Sequence, residues 1–293
     1  MAGRQTDDHV LPITRASVIV VAPILIVAGV MLYALPGETE ALWAWPMGPE
    51  LTALAVGGGY LAGAALFVRA LRASDWHRIA LVFPVATVLT VLLLVATLLH
   101  WDSFSHGHPS FWAWLVVYLV TPGLLPAVWL INRRRDPGVP APGTPLVPRW
   151  VATLVGLIGV AQFLAALALF VLTDLAEQLW PWPVSPLTAR TLAAFLAFIG
   201  AMWLAFFFER RWSALRLHVQ SATLGLALVA LGAVRATQDF NRGAGATAVF
   251  AALLGGMLVG LVVLQIAMRS TERGSVTSGH PGHSAGDGRD PER

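Results

Sequence analysis

Leu42-Trp-Ala-Trp-Pro46-Met-Gly-Pro49-Glu-Leu-Thr-Ala53 returns further along the chain as Leu179-Trp-Pro-Trp-Pro183-Val-Ser-Pro186-Leu-Thr-Ala189. One missing residue, opposite Glu50, separates the two copies. Beyond that gap the register holds at a fixed offset: Trp76 falls on Trp212, Ala86-Thr87 on Ala222-Thr223 and Phe104 on Phe240. A string this particular in tryptophan and proline does not recur by composition alone, so the sequence reads as an internal duplication.

The chain around the motif is apolar. Of its 293 residues 57% are hydrophobic and 12% charged, against roughly 25% charged in soluble domains. There is no cysteine, which excludes disulfides, thiolate metal sites and cysteine nucleophiles. All 19 basic residues are arginine, which, with the alanine and glycine content, points to a GC-rich bacterial genome. A basic balance in a soluble protein would suggest nucleic acid. Here the arginines flank apolar runs, which indicates membrane topology and no nucleic-acid partner.

Eight runs have the length of about 20 residues that a helix needs to cross a bilayer: about 16–35, 51–71, 79–99, 111–131, 151–173, 188–208, 214–234 and 246–268. The expected fold class is therefore an all-α integral membrane protein, with eight transmembrane helices as two parallel four-helix repeats. Its parts are an N-terminal tail (1–15), a first repeat (16–131), a Pro/Arg-rich linker (132–149), a second repeat (150–269) and a disordered tail (270–293). The linker carries five prolines, and Arg133, Arg134 and Arg135 at its start are placed to meet anionic headgroups.

Orientation follows from the arginines. Arg4, Arg15, Arg69, Arg72, Arg78, Arg133, Arg134, Arg135, Arg149, Arg210, Arg211, Arg216, Arg269 and Arg273 fall on one side, and only Arg190, Arg235 and Arg242 on the other. This bias places both termini in the cytoplasm of a multi-pass cell-membrane protein.

On the outer side, Trp43, Trp45, Trp180 and Trp182 suit an interfacial aromatic belt. A second reading makes the two Trp-x-Trp-Pro segments the roof of a shallow cavity across a pseudo-twofold axis. Glu40 and Glu177 precede them at matching positions, and Asp102 and Asp239 recur within one residue, giving a ligand-binding set of Glu40, Trp43, Trp45, Glu177, Trp180, Trp182, Asp102 and Asp239 for a lipid headgroup or a cationic or amphipathic ligand. In the loop that follows the third run, His100, Asp102, His106 and His108 have the chemistry for a divalent metal, Zn²⁺ or Cu²⁺, the only cofactor the sequence suggests. His280 and His283 in the tail are weaker candidates. His77 and His218 invite a bis-histidine haem comparison, although His218 aligns with Val82.

The runs contain no mid-depth Asp or Glu, which disfavours an ion-coupled pump, and motifs for a nucleophile elbow or phosphate loop are absent. The expected function is non-enzymatic binding of a lipid or membrane-protein partner at the outer face. A passive or partner-driven permease is the alternative, and a lipid-modifying enzyme using outer carboxylates the second. Gly59-x-x-x-Gly63 and Gly256-x-x-x-Gly260 read as helix-packing seams, within the chain or in a homodimer. Pro84, Pro122 and Pro126 are expected to kink their helices.

Overall fold

A computed structural model describes residues 8–141, 143–241 and 243–278, with side chains through Arg273. The expectations for Arg4, Arg242, residues 1–7 and the tail from 279, with His280 and His283, lie outside the described residues. Eight long helices make up the described chain: α1 (Pro12–Ala34), α2 (Glu50–Leu71), α3 (Val82–Leu99), α4 (Pro109–Asn132), α5 (Arg149–Val171), α6 (Pro186–Leu204), α7 (Trp212–Arg235) and α8 (Ala244–Ser278). No strand occurs among the described residues. All eight are long and apolar enough to cross a membrane, with mean hydropathy from 1.7 to 2.6.

The helices begin where the sequence sets them up to begin. Proline at the first helical position starts α1, α4 and α6, where its missing N–H has no intrahelical role and its fixed φ suits the turn. Pro84 lies in the first turn of α3 and is tolerated there without the expected kink. Pro122 and Pro126 lie inside α4, which runs through both without a break. α8 extends to Ser278, past the boundary at 270 that the sequence suggested for the tail.

α2 and α6 are the inner helices. Over their most apolar windows 67% and 56% of residues are buried, compared with 22% in α1 and α5 and 6% in α8. α1 lies along α2 and α5 along α6, the two most extensive contacts; α3 packs on α4 and α7 on α8. The remaining major contacts cross between the halves of the chain: α2 against α7, and α6 against α3. Outward faces keep large apolar residues exposed, among them Val20, Val27, Leu157, Leu164, Val259 and Ile266.

Glycines set the closest approaches. A β-carbon on Gly159 of α5 would stand 2.4 Å from the backbone nitrogen of Leu204, and one on Gly200 of α6 would stand 2.7 Å from that of Phe163. A β-carbon on Gly59 would come within 2.7 Å of the Phe195 ring, so α2 and α6 cross with one ring seated over one glycine. Gly63 meets only Leu25, at 3.5 Å, and Gly256 and Gly260 meet nothing within 4 Å. The α8 pair is therefore no seam within the chain: its side of the helix faces outward.

Loop contacts sort the helix ends into two groups. At the tryptophan end, Ser105 N–H donates to Ala44 O at 2.8 Å, and the Asp239 carboxylate accepts from the Leu51 N–H at 2.7 Å. At the arginine end, the segment before α1 lies antiparallel to the loop between α2 and α3: Val10 N–H donates to Ser74 O (3.1 Å) and Trp76 N–H to Asp8 O (2.8 Å). The same contact recurs in the second half, where Val147 N–H donates to Arg210 O (2.8 Å) and Trp212 N–H to Pro145 O (3.2 Å).

Candidate functional site

The tryptophan end is packed from within. Trp43, Trp45 and Trp182 are buried, and Trp180 is half-buried. Trp45 sits edge-on to Phe104 (5.4 Å) and Trp114 (4.9 Å), and Trp182 edge-on to Phe240 (5.9 Å) and Phe250 (5.4 Å). Trp43, Trp45 and Trp182 belong to one buried cluster with their aromatic neighbours, and Trp180 packs against it. The Trp182 indole N–H donates to Thr52 Oγ1 at 2.9 Å, joining the second motif to the start of α2. Of the acidic candidates, Glu40 and Asp102 are exposed, Glu177 is half-buried and Asp239 is committed to the Leu51 amide.

The histidines of this end do not converge. Arg190 donates to His100 Nε2, and burial first, then this guanidinium, hold the His100 imidazole below its usual pKa. His108 Nδ1 is directed to Trp43 O at 3.2 Å, and His106 stacks between Trp101 and Phe111. Asp102 points to solvent. Among the described residues no three His, Cys, Asp or Glu side chains stand together as a metal site. His77 and His218 do not form a haem pair either: His77 is engaged on both ring nitrogens, and His218 Nδ1 faces its own helix at Ala214 O.

The arginine end holds the polar chemistry. His77, buried in the loop before α3, is held by Asp8 on one side and Ser213 on the other. Asp8 accepts from the His77 backbone N–H through Oδ1 (3.0 Å) and makes a short contact to ring Nδ1 through Oδ2. Ser213 Oγ lies 3.1 Å from His77 Nε2. A carboxylate only accepts, so Nδ1 carries a proton; when the ring is neutral, Nε2 offers its lone pair and the Ser213 hydroxyl donates to it.

A second ionic group stands beside this one. Arg211 is 9% exposed and forks onto Asp136, at 2.5 and 2.7 Å, while its Nε reaches Glu209 at 2.9 Å. Burial alone would raise the Asp136 pKa, but hydrogen bonds from Arg211 and the Gly138 N–H hold it below the ordinary value; His77 adds to that lowering, so the two groups are in electrostatic reach. An open cavity of about 590 Å³ lies at the same end, around the start of α1. Its polar lining is His9, Arg15 and Arg135, and its apolar lining includes Leu11, Ala16 and Ile19.

Sequence reasoning singled out His77 for a different chemistry and passed over Asp8 and Ser213. The available signal was the repeat register, in which Ser213 falls opposite His77, since it directly follows the aligned Trp212. No protein-family model matches the chain, and neither does any curated protein or solved structure.

Proposed function

We propose that the chain is a lipid-binding, multi-pass membrane protein with eight transmembrane helices in two parallel four-helix repeats and both termini in the cytoplasm. Apolar residues across the outward faces of α1, α5 and α8 support insertion, because a helix that is apolar all round needs either a core or a bilayer around it. The repeat reading is supported by contacts that pair the halves element for element: α1 on α2 and α5 on α6, α3 on α4 and α7 on α8, α2 on α7 and α6 on α3. Matching aromatic groups, Trp45–Phe104–Trp114 and Trp182–Phe240–Phe250, agree with the same register.

The cavity at the arginine end carries the binding proposal. Its lining includes two arginines, Arg15 and Arg135, which complement a phosphate-bearing headgroup, and Leu11, Ala16 and Ile19 at the start of α1, which suit an acyl chain. The tryptophan end offers a ligand exposed carboxylates and a buried aromatic interior, so the geometry favours the opposite end to the one that the motif suggested. Native mass spectrometry of the protein released from nanodiscs tests this. Anionic phosphatidylglycerol should be retained over phosphatidylcholine, and Arg15→Gln with Arg135→Gln should abolish the preference. Equal retention of both lipids by the wild-type protein would overturn the proposal.

A further inference from the structure

We propose that Asp8, His77 and Ser213 form a catalytic relay that hydrolyses a carboxylic ester, with Ser213 as the nucleophile. The three residues come from separate parts of the chain: the segment before α1, the loop between α2 and α3, and the first turn of α7. They meet through the atoms that nucleophilic catalysis requires, carboxylate to Nδ1 and hydroxyl to Nε2. Asp8 also accepts from the His77 backbone amide, which fixes the carboxylate against the ring.

Ser213 differs from the other hydroxyls of these helices. Thr87, Thr97, Thr121 and Thr191 each turn back onto the carbonyl four residues earlier. Ser213 is the second residue of α7, with no helical carbonyl behind it, and it turns to the imidazole instead. The first-turn amides around it are largely used: Trp212 donates to Pro145 O, and Ala214 and Leu215 both donate to Arg211 O. Among the described residues the Ser213 N–H has no backbone acceptor; it lies beside its own Oγ and at the positive end of the helix dipole. That donor is suited to an oxyanion forming next to Oγ. Ser213 is buried, at 8% exposure, so the hydroxyl is shielded from bulk water.

In the reaction, Ser213 Oγ attacks the ester carbonyl carbon while His77 Nε2 takes the hydroxyl proton. The C–O bond to the alcohol breaks, the alcohol leaves with that proton, and an acyl-serine forms. Water then attacks the acyl carbon, gives its proton to Nε2 and releases the acid, and the proton returns to Oγ. Asp8 stays ionised throughout and steadies the imidazolium. The cavity at this end is lined by His9 and Arg135, which adjoin Asp8 and Asp136 in the sequence. Its amphipathic lining makes the substrate class an ester of an anionic amphiphile, a clause that rests on the lipid-binding proposal.

The test uses the full-length protein in nanodiscs and a fluorophosphonate probe, with peptide mass spectrometry to locate the adduct. Labelling is expected at Ser213, absent in Ser213→Ala and slowed about 100-fold or more in His77→Gln; a fluorogenic long-chain ester should lose turnover in the same order. Thermal unfolding of each variant separates lost chemistry from lost folding. If the variants fail to fold, the adduct site on the wild-type protein decides alone. Folded wild-type protein that takes no adduct at Ser213 overturns the relay and identifies the three residues as a structural clamp. Retention of phosphatidylglycerol is measured on the same preparation: labelling without lipid preference keeps the relay and removes the lipid reading, and lipid preference without labelling does the reverse.

Discussion

Gly48 and Ser185 occupy matching places in the two tryptophan motifs, but only Ser185 directly precedes its helix; before α2 that place belongs to Pro49. Ser185 caps α6 by accepting from the Thr188 N–H and donates to the Thr188 hydroxyl at 3.1 Å. Pro49 has no side-chain acceptor to do this, and the amide of Leu51 is capped from the far half by Asp239. The engaged Thr188 hydroxyl is also no match for Thr52, which receives the Trp182 indole; the Trp45 indole N–H is buried without a partner. Asp239→Ala should therefore lower stability by about 1 kcal/mol, measured by thermal unfolding in detergent. A second residue-scale prediction concerns pH. The Asp136 pKa is lowered in the folded state by Arg211 and Gly138 against the opposing effect of burial, so its contribution is present above the ordinary carboxylate value of about 4 and disappears as the pH falls through the lower folded value. Unfolding midpoints of wild type and Asp136→Asn should differ at neutral pH and converge in acid. A constant difference across that range would remove Asp136 as the titrating group.

The length and apolarity of the eight helices were legible because crossing a bilayer imposes both on the sequence directly. Which way each face turns was not. A glycine pair spaced four apart looks the same whether it meets a neighbour or the outside, and Gly256-x-x-x-Gly260 faces outward while Gly159 and Gly200, with no such spacing in the sequence, make the closest contacts. Tryptophans near helix ends suit an interface by composition, yet Trp45 and Trp182 turn inward because Phe104, Trp114, Phe240 and Phe250 surround them. The relay was hidden for another reason: Asp8, His77 and Ser213 carry no local motif, and only the fold closes the distances between them. The glycine contrast is testable. Gly159→Leu should destabilise the monomer by at least about 1–3 kcal/mol, because the clash is with backbone that has no rotamer to yield, whereas Gly260→Leu should leave monomer unfolding unchanged. A destabilised Gly260→Leu monomer would show that α8 packs differently from this arrangement.

At the scale of the whole molecule, the halves share the cluster around the inner helices, although the first half also holds one of its own around Trp76 and Phe83. The inner helices α2 and α6 each bury one face against a helix of the other half, α7 and α3. Residues 1–140 and 143–293 made separately should each be degraded or aggregate, and made together they should associate into a complex that survives detergent extraction. A half that is monodisperse and resists proteolysis alone would contradict this. Reporter fusions after Arg72, Arg135, Arg211 and Arg273 should read cytoplasmic, and fusions after Glu40, Ser105, Glu177 and Gly243 external; one robust reversal would sink the eight-span topology. The crossing of Phe195 over Gly59, and of Ser213 onto His77, has a historical consequence on the repeat reading. In each pair the partners occupy matching positions of the two halves. Two identical subunits related by a twofold would set glycine against glycine or phenylalanine against phenylalanine there, leaving a hole or a collision. They would also set histidine against histidine, or serine against serine. Unlike partners at an axis need genes that mutate independently of each other, so these pairs date from after the duplication, and an ancestral dimer of one unit would have lacked the Asp8–His77–Ser213 relay.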